Sequence, residues 1–452
     1  MLKKVHLQQL LIFVRSSLWF VPSLLILTAI GLALSLVEID RYFYKDLRAL
    51  WPRVFDTEAE GARGMLSAIA SSMATVAGVV FSITIVALAL ASSQYTSRIL
   101  RNFMRDRSTQ TVLGVFVGVY IYCLLVLRTV SGDSNIFVPS LAVLGAVVLA
   151  VVGIGFFIYF IHHISSSIQA SEIIKTVTEE TLQAMGKLYS ADMEDDADHI
   201  KFADNFSDAA WQNIPASRIG YIQTVDSDGL RAFARKHAVI IRMEVGVGEF
   251  IASGRPLVAI SGTTRMDEIA IREINNFYAV ASYRTIDQDA AFGIRQLVDI
   301  ALKALSPSIN DTTTAITCID HLSALLSFCS TRRISPVFSA TETEPGVIAK
   351  TPDFEDLVNL SYRQILANAE GNVEVMVRLL DSLTHIASQA KCGKQWAILD
   401  QWVSEIEEAA ARSVKQASAL GRLRENVISA RLAMRIPPAS ITGTKHADLG
   451  RI

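Results

Sequence analysis

The sequence predicts a membrane α-helical protein with four transmembrane helices. These are joined to a cytoplasmic α+β region that carries a small β-barrel-like subdomain and a helical bundle. Three observations carry that prediction. The 452 residues are 51% hydrophobic and only 19% charged, whereas soluble domains carry about a quarter charged residues. Four long uncharged apolar runs lie in the first 161 residues. That stretch also holds only 13 of the 42 Lys/Arg and 8 of the 44 Asp/Glu, so residues 162–452 have an ordinary, mildly acidic composition. The net charge of −2 argues against a nucleic-acid partner. Four cysteines, Cys123, Cys318, Cys329 and Cys392, show no CxxC spacing, which disfavours a disulfide framework or a thiolate zinc site.

Residues 1–161 form the membrane domain, with spans expected at 18–37, 65–93, 109–127 and 136–161. Each is long enough to cross about 30 Å of hydrocarbon at 1.5 Å per residue, or nearly so. Pro22 falls in the first turn of the first span, where its missing N–H does little harm. The third span ends at Arg128, which can snorkel to the interface. The first run is too long for a cleaved signal peptide, and three more spans follow it.

Basic residues set the expected orientation. Lys3, Lys4 and Arg15 stand without an acid, and Arg98, Arg101, Arg105 and Arg107 oppose Asp106 alone, while the other two loops hold seven acids, among them Asp40. The positive-inside rule then places both termini in the cytoplasm, with lipid headgroups held by Arg98, Arg101, Arg105 and Arg107.

The second span is unlike its neighbours. Ser67, Ser71, Thr75, Gly78, Ser82, Ala89 and Ser93 recur at spacings of three, four or seven, so they share one helix face. Two readings stand side by side. Small residues let another helix approach closely; alternatively, Ser67, Ser71, Thr75, Gly78, Ser82 and Ser93 line a polar path built from hydroxyls and carbonyls. Packing is the simpler reading, since no acid or base lies inside any of the four runs. Gly114 and Gly118 in the third span, and Ala142, Ala146 and Ala150 in the fourth, are further close-packing signals. Four spans are few to enclose a pathway, so a pore would require a homo-oligomer.

Beyond the membrane, residues 162–217 read as a helical extension with Ile164, Ile168, Ile173, Val177, Met185 and Leu188 in helical rhythm, then an acidic linker at Asp192–His199. Residues 218–262 are β-rich, with strands at Tyr221–Val225, Val239–Val245 and Pro256–Ile260 around a capped helix at Leu230–His237. The Gly246–Leu257 turn resembles that of lipoyl- and biotinyl-type barrel-sandwich modules. It lacks the lysine that would carry a prosthetic group, so a structural barrel or docking surface is expected.

Residues 263–334 are read as a helical corner. Ala290–Leu305 ends at Ser306-Pro307 because the residue before proline avoids helix, and Asn310-Asp311 caps the next helix, whose first turn holds Thr312. Ser306, Asn310, Asp311 and Thr312 are thus either a capped corner or a small anion site on free helix N–H groups. A loop at 335–352 precedes a C-terminal bundle at 353–436, read as three helices over Phe354–Ala369, Val373–Ala390 and Trp396–Ala433; residues 437–452 form a disordered tail. No nucleophile elbow, Walker loop or HExxH motif occurs, so no enzyme activity, cofactor or metal is expected. His237, His321 and His385 are read as packed or solvated.

The runs Gly78–Thr84, Ser92–Tyr95, Arg98–Asp106 and Arg295–Asp311 resemble a large bacterial family of predicted membrane proteins, the DUF2254 type. The similarity extends from the first span to about Ala433, and the family pattern often has Pro where this chain has Thr312. The resemblance implies an inner-membrane location and supplies no activity, substrate or catalytic residue. The leading expectation is a homo-oligomeric channel or permeation protein for ions or small solutes, lined by the second span and regulated by its cytoplasmic part. The alternative is a membrane-anchored module whose cytoplasmic part senses a lipid, nucleotide or protein.

Overall fold

The structure, a computed structural model, describes residues 19–50, 59–94, 106–130, 137–189, 210–262, 266–332, 334 and 346–435. The side chains of 43–50, 91, 93, 94 and 435 fall outside the described set. Two compact units divide between Glu172 and Ile173.

The first unit holds α1 (Phe20–Leu50), α2 (Ala59–Gln94), α3 (Arg107–Thr129) and α4 (Ser140–Ser167). All four contain a stretch long and apolar enough to cross a membrane: Phe20–Tyr42, Ala59–Leu90, Arg107–Thr129 and Ser140–Ser167. The central helix is α3, which packs on the other three and buries Val112, Phe116, Val119, Tyr122 and Val126. Its Gly114 lies against α1: a Cβ there would stand 2.9 Å from the Cα of Pro22. Gly118 faces Leu25 and Ala29 of the same helix. Ala142 and Ala146 of α4 are buried as well. From α2, Leu66, Met73, Val80 and Ala87 enter the core at seven-residue spacing, the narrow seam of a coiled-coil-like contact.

Helix α1 runs past the uncharged stretch and carries Asp40 with it. Far from lying in a loop, Asp40 is only 1% exposed, and its carboxylate accepts from the amides of Leu141 (3.1 Å) and Ala142 (2.9 Å). It therefore caps α4 from another helix, supplying negative charge where the first-turn amides lack partners. Tyr122 Oη donates to the Ala142 carbonyl at 2.7 Å beside it. The fourth span starts at Ser140 rather than 136, because Pro139 is its N-cap residue. Its helix does not run on unbroken: Ile168 and Gln169 form a turn before α5 (Ala170–Leu188).

In the second unit α5 buries Ile173, Val177 and Met185 as its rhythm predicts, but Leu188 is exposed. The β-rich part comprises β1 (Trp211–Pro215), β2 (Gly220–Val225), α6 (Ser227–His237), β3 (Ile241–Met243), β4 (Phe250–Ile251), β5 (Pro256–Ser261), α7 (Glu268–Asn276) and β6 (Tyr278–Ala281). Its strands form two open sheets, ordered β1-β5-β3-β7 and β4-β2-β6, where β7 is Val347–Ile348. The expected barrel is thus not closed. The physical reason is long-range pairing: β2 pairs with β6, which lies beyond the glycine-rich segment, and β3 pairs parallel to β7, some hundred residues on. Gly248 (φ +85°) and Gly254 (φ +83°) take left-handed turns that glycine adopts without strain.

Helices α8 (Ala290–Ala304) and α9 (Thr312–Ser330) meet at the anticipated corner, followed by α10 (Phe354–Asn368) and α11 (Val373–Gln389). The last expected helix is two: α12 (Gly393–Ser413) and α13 (Ala417–Arg435), with α13 folded back on α11 and α12. Neither Gly nor Pro marks the break at Val414–Gln416; burial of Val414 and of Leu423, Val427 and Ala430 on α13 accounts for the reversal. The acidic run 192–199, most of the 335–352 loop and the 437–452 tail lie outside the described residues.

Candidate functional site

The face of α2 opposite its seam is open. Ser67, Ser71, Thr75, Gly78, Ser82 and Ala89 are all exposed in the chain, as are Gly64, Ala68, Ser72 and Ala74 between them. A Cβ built on Gly61, Gly64 or Gly78 meets nothing within 4 Å. Thr75 Oγ1 donates back to the Ser71 carbonyl (2.9 Å), and Thr84 Oγ1 to that of Val80 (2.7 Å). The hydroxyls of Ser67, Ser71, Ser72 and Ser82 have no hydrogen-bond partner among the described residues. Ser93 lies within α2, its side chain outside the described set.

The open faces of the neighbouring spans are more apolar, although α2 too exposes Val79, Phe81, Ile85, Val86 and Leu90. On α1 they carry Leu24, Leu27, Leu32 and Leu34, and on α4 Val148, Val151, Ile154 and Ile158, as suits contact with acyl chains. The small-residue stripes of α2 and α3 have opposite fates: that of α3 is filled by α1, and that of α2 is filled by nothing among the described residues.

Where α3 begins, Asp106 accepts from the Ser108 and Thr109 amides (3.1 Å each) and lies 2.8 Å from Nε2 of His163 on α4. Tyr159 stacks on His163, and its hydroxyl lies 2.9 Å from Ser108 Oγ. This polar clasp joins the ends of α3 and α4. It was not anticipated, because 57 residues separate its two main members. Of the headgroup candidates, Arg107 is exposed at the start of α3; Arg98, Arg101 and Arg105 lie outside the described residues.

The corner candidates are brought together, as a cap. Asp311 accepts from the Thr314 amide (3.0 Å) and hydroxyl (2.6 Å), and these bonds hold its carboxyl below the usual range. Asn310 takes φ +48°, Ser306 Oγ donates to the Lys303 carbonyl (2.7 Å), and Asn372 Nδ2 donates to Thr312 Oγ1 (3.0 Å). The helix start is already served by its own carboxylate, which leaves little for an incoming anion.

Four apolar spans with a dense α3 core define an integral membrane protein. The chain belongs to the family described as predicted membrane protein (DUF2254), whose sequence model matches residues 15–385. It is 30% identical over 413 residues to Uncharacterized protein MT1328 of Mycobacterium tuberculosis, covering 88% of this chain and 77% of that one. It is 29% identical over 413 residues to Uncharacterized protein Mb1321c of Mycobacterium bovis, with the same coverage. No solved structure matches the chain.

Proposed function

We propose that this protein is a homo-oligomeric channel or permeation protein for ions or small solutes, in which α2 of several copies surrounds the path and the non-membrane unit is a cytoplasmic regulator. The observation that carries this reading is the set of four serine hydroxyls, without partners among the described residues, on an open face within an apolar span. A hydroxyl facing hydrocarbon with no partner costs roughly 1–3 kcal/mol on protein-based scales. Water in a shared lumen, or polar groups of another copy, removes that cost without any charged ring. The exposed positions of α2 between Ser67 and Gly78 are all Ala, Ser, Thr or Gly, which lets several copies approach an axis while leaving room between them.

Purified protein in liposomes is expected to pass small ions, and replacing Ser71, Thr75 and Ser82 together by Leu is expected to abolish that flux. All three side chains are exposed, so the chain's own core is untouched by the change. Tight vesicles at high protein density, or flux unaltered by the triple substitution, would remove the proposal in favour of an anchored module.

A further inference from the structure

In the non-membrane unit, the β4 end of one face of the β4-β2-β6 sheet is exposed, although Ala279 of β6 on the same face is buried. Antiparallel pairing sets Tyr221 of β2 opposite Phe250 on one side and Ala281 on the other. Ile219 lies just before β2, next to Gly220, which pairs with Ile251 of β4. Ile222 and Ile251, on the reverse face, are buried in the core. Ile219 is 68% exposed and Phe250 56%, and Phe250 meets the Tyr221 ring edge-on at 5.3 Å.

The two turns bordering this face are tied together. Gly254 N donates to the Ala216 carbonyl (2.9 Å) and Ala216 N to that of Arg255 (2.8 Å). Asn275 Oδ1 accepts from Ser217 N (2.8 Å), and its Nδ2 donates to the Pro215 carbonyl (3.1 Å). Exposed Arg218 and Arg255 stand on these joined turns, and neither has an acid partner among the described residues. Glu249, the acid next to Phe250, is neutralised by Lys350 Nζ at 2.8 Å. The result is a rigid apolar platform with an unopposed positive rim.

We propose that this platform docks on an anionic lipid surface, with Ile219 and Phe250 entering the headgroup boundary and Arg218 and Arg255 meeting lipid phosphates. Charge complementarity selects the lipid over a neutral apolar partner. Size does the same against a protein partner: two large exposed side chains fall far short of the roughly 800 Å² per partner that a stable protein interface buries. A chain already anchored in a bilayer needs much less, because tethering makes the docking step intramolecular. The inference is independent of whether α2 lines a path.

The test uses the full chain in lipid nanodiscs, with Ile219→Cys on a Cys392→Ser background carrying an environment-sensitive fluorophore. The other cysteines, Cys123, Cys318 and Cys329, are buried. In phosphatidylglycerol discs the emission is expected to shift to the blue and to be quenched by lipids brominated in their acyl chains, and both effects are expected to weaken in phosphatidylcholine. Arg218→Ala with Arg255→Ala should shift the docked-to-undocked ratio by about thirtyfold, the loss expected when two basic residues leave an anionic surface. Phe250→Ser should reduce quenching with both arginines intact. Absent quenching in phosphatidylglycerol, quenching indifferent to the arginine pair, or a blue shift that persists in lipid-free detergent would each overturn the proposal; the last would assign the platform to a second copy or another part of the chain.

Discussion

Asp40 shows how one carboxylate can organise a membrane unit. Its two amide acceptances at the start of α4 are buried, so Asp40→Ala leaves amides without partners and is expected to cost about 1–3 kcal/mol in detergent unfolding. Asp40→Asn, which retains one acceptor, should cost less. His321 makes a second residue-level prediction. The Thr178 hydroxyl donates to the Ile174 carbonyl (2.7 Å), so His321 Nδ1, 2.8 Å from that oxygen, must be the donor. Burial lowers the ionisation of His321 below its ordinary value, with Asp320 acting weakly against it. The unfolded chain therefore takes up this proton first as the pH falls. The stability contribution is full above about pH 6.5 and declines below it. Thermal midpoints measured between about pH 8 and pH 5 should fall for the native chain, and less steeply for His321→Asn, whose amide can keep the donor but does not titrate in that range. Asp311→Ala should cost about 1 kcal/mol through loss of the α9 cap, and Asp311→Asn little.

At the scale of elements, the two glycine-bearing stripes make opposite predictions. Gly114→Leu would drive a side chain into Pro22 and Leu25; it should weaken the α1–α3 contact and lower the unfolding midpoint. Gly78→Leu meets open space and should leave the midpoint of the isolated chain unchanged while impairing assembly or flux. Spacing alone could not separate these cases, because both stripes set small residues three or four positions apart. The long apolar helices and the Asp311 corner were legible since each rests on local chemistry: uninterrupted apolar runs, a proline stop, a capping carboxylate. What was not legible depends on distant partners. The strands β1, β6 and β7 are five residues or fewer and owe their existence to pairing across the chain. The breaks at Ile168–Gln169 and Val414–Gln416 carry no Gly or Pro. Asp40 looked like a loop acid because hydrophobicity ends before its helix does.

For the whole molecule, the central claim is that the open face of α2 looks into water shared between copies, whereas the open faces of α1 and α4 look into lipid. The most direct test is cysteine accessibility in proteoliposomes, with Cys392→Ser as background and a small, charged, membrane-impermeant thiol reagent. Cysteines at Ser71, Thr75 and Ser82 are compared with cysteines at Val151, Ile154 and Ile158, the exposed apolar positions of α4. The account predicts rapid modification along the α2 face, none along the α4 face, and a loss of flux as the α2 sites react. Equal resistance of both sets to the reagent would contradict it and return α2 to the role of a membrane anchor.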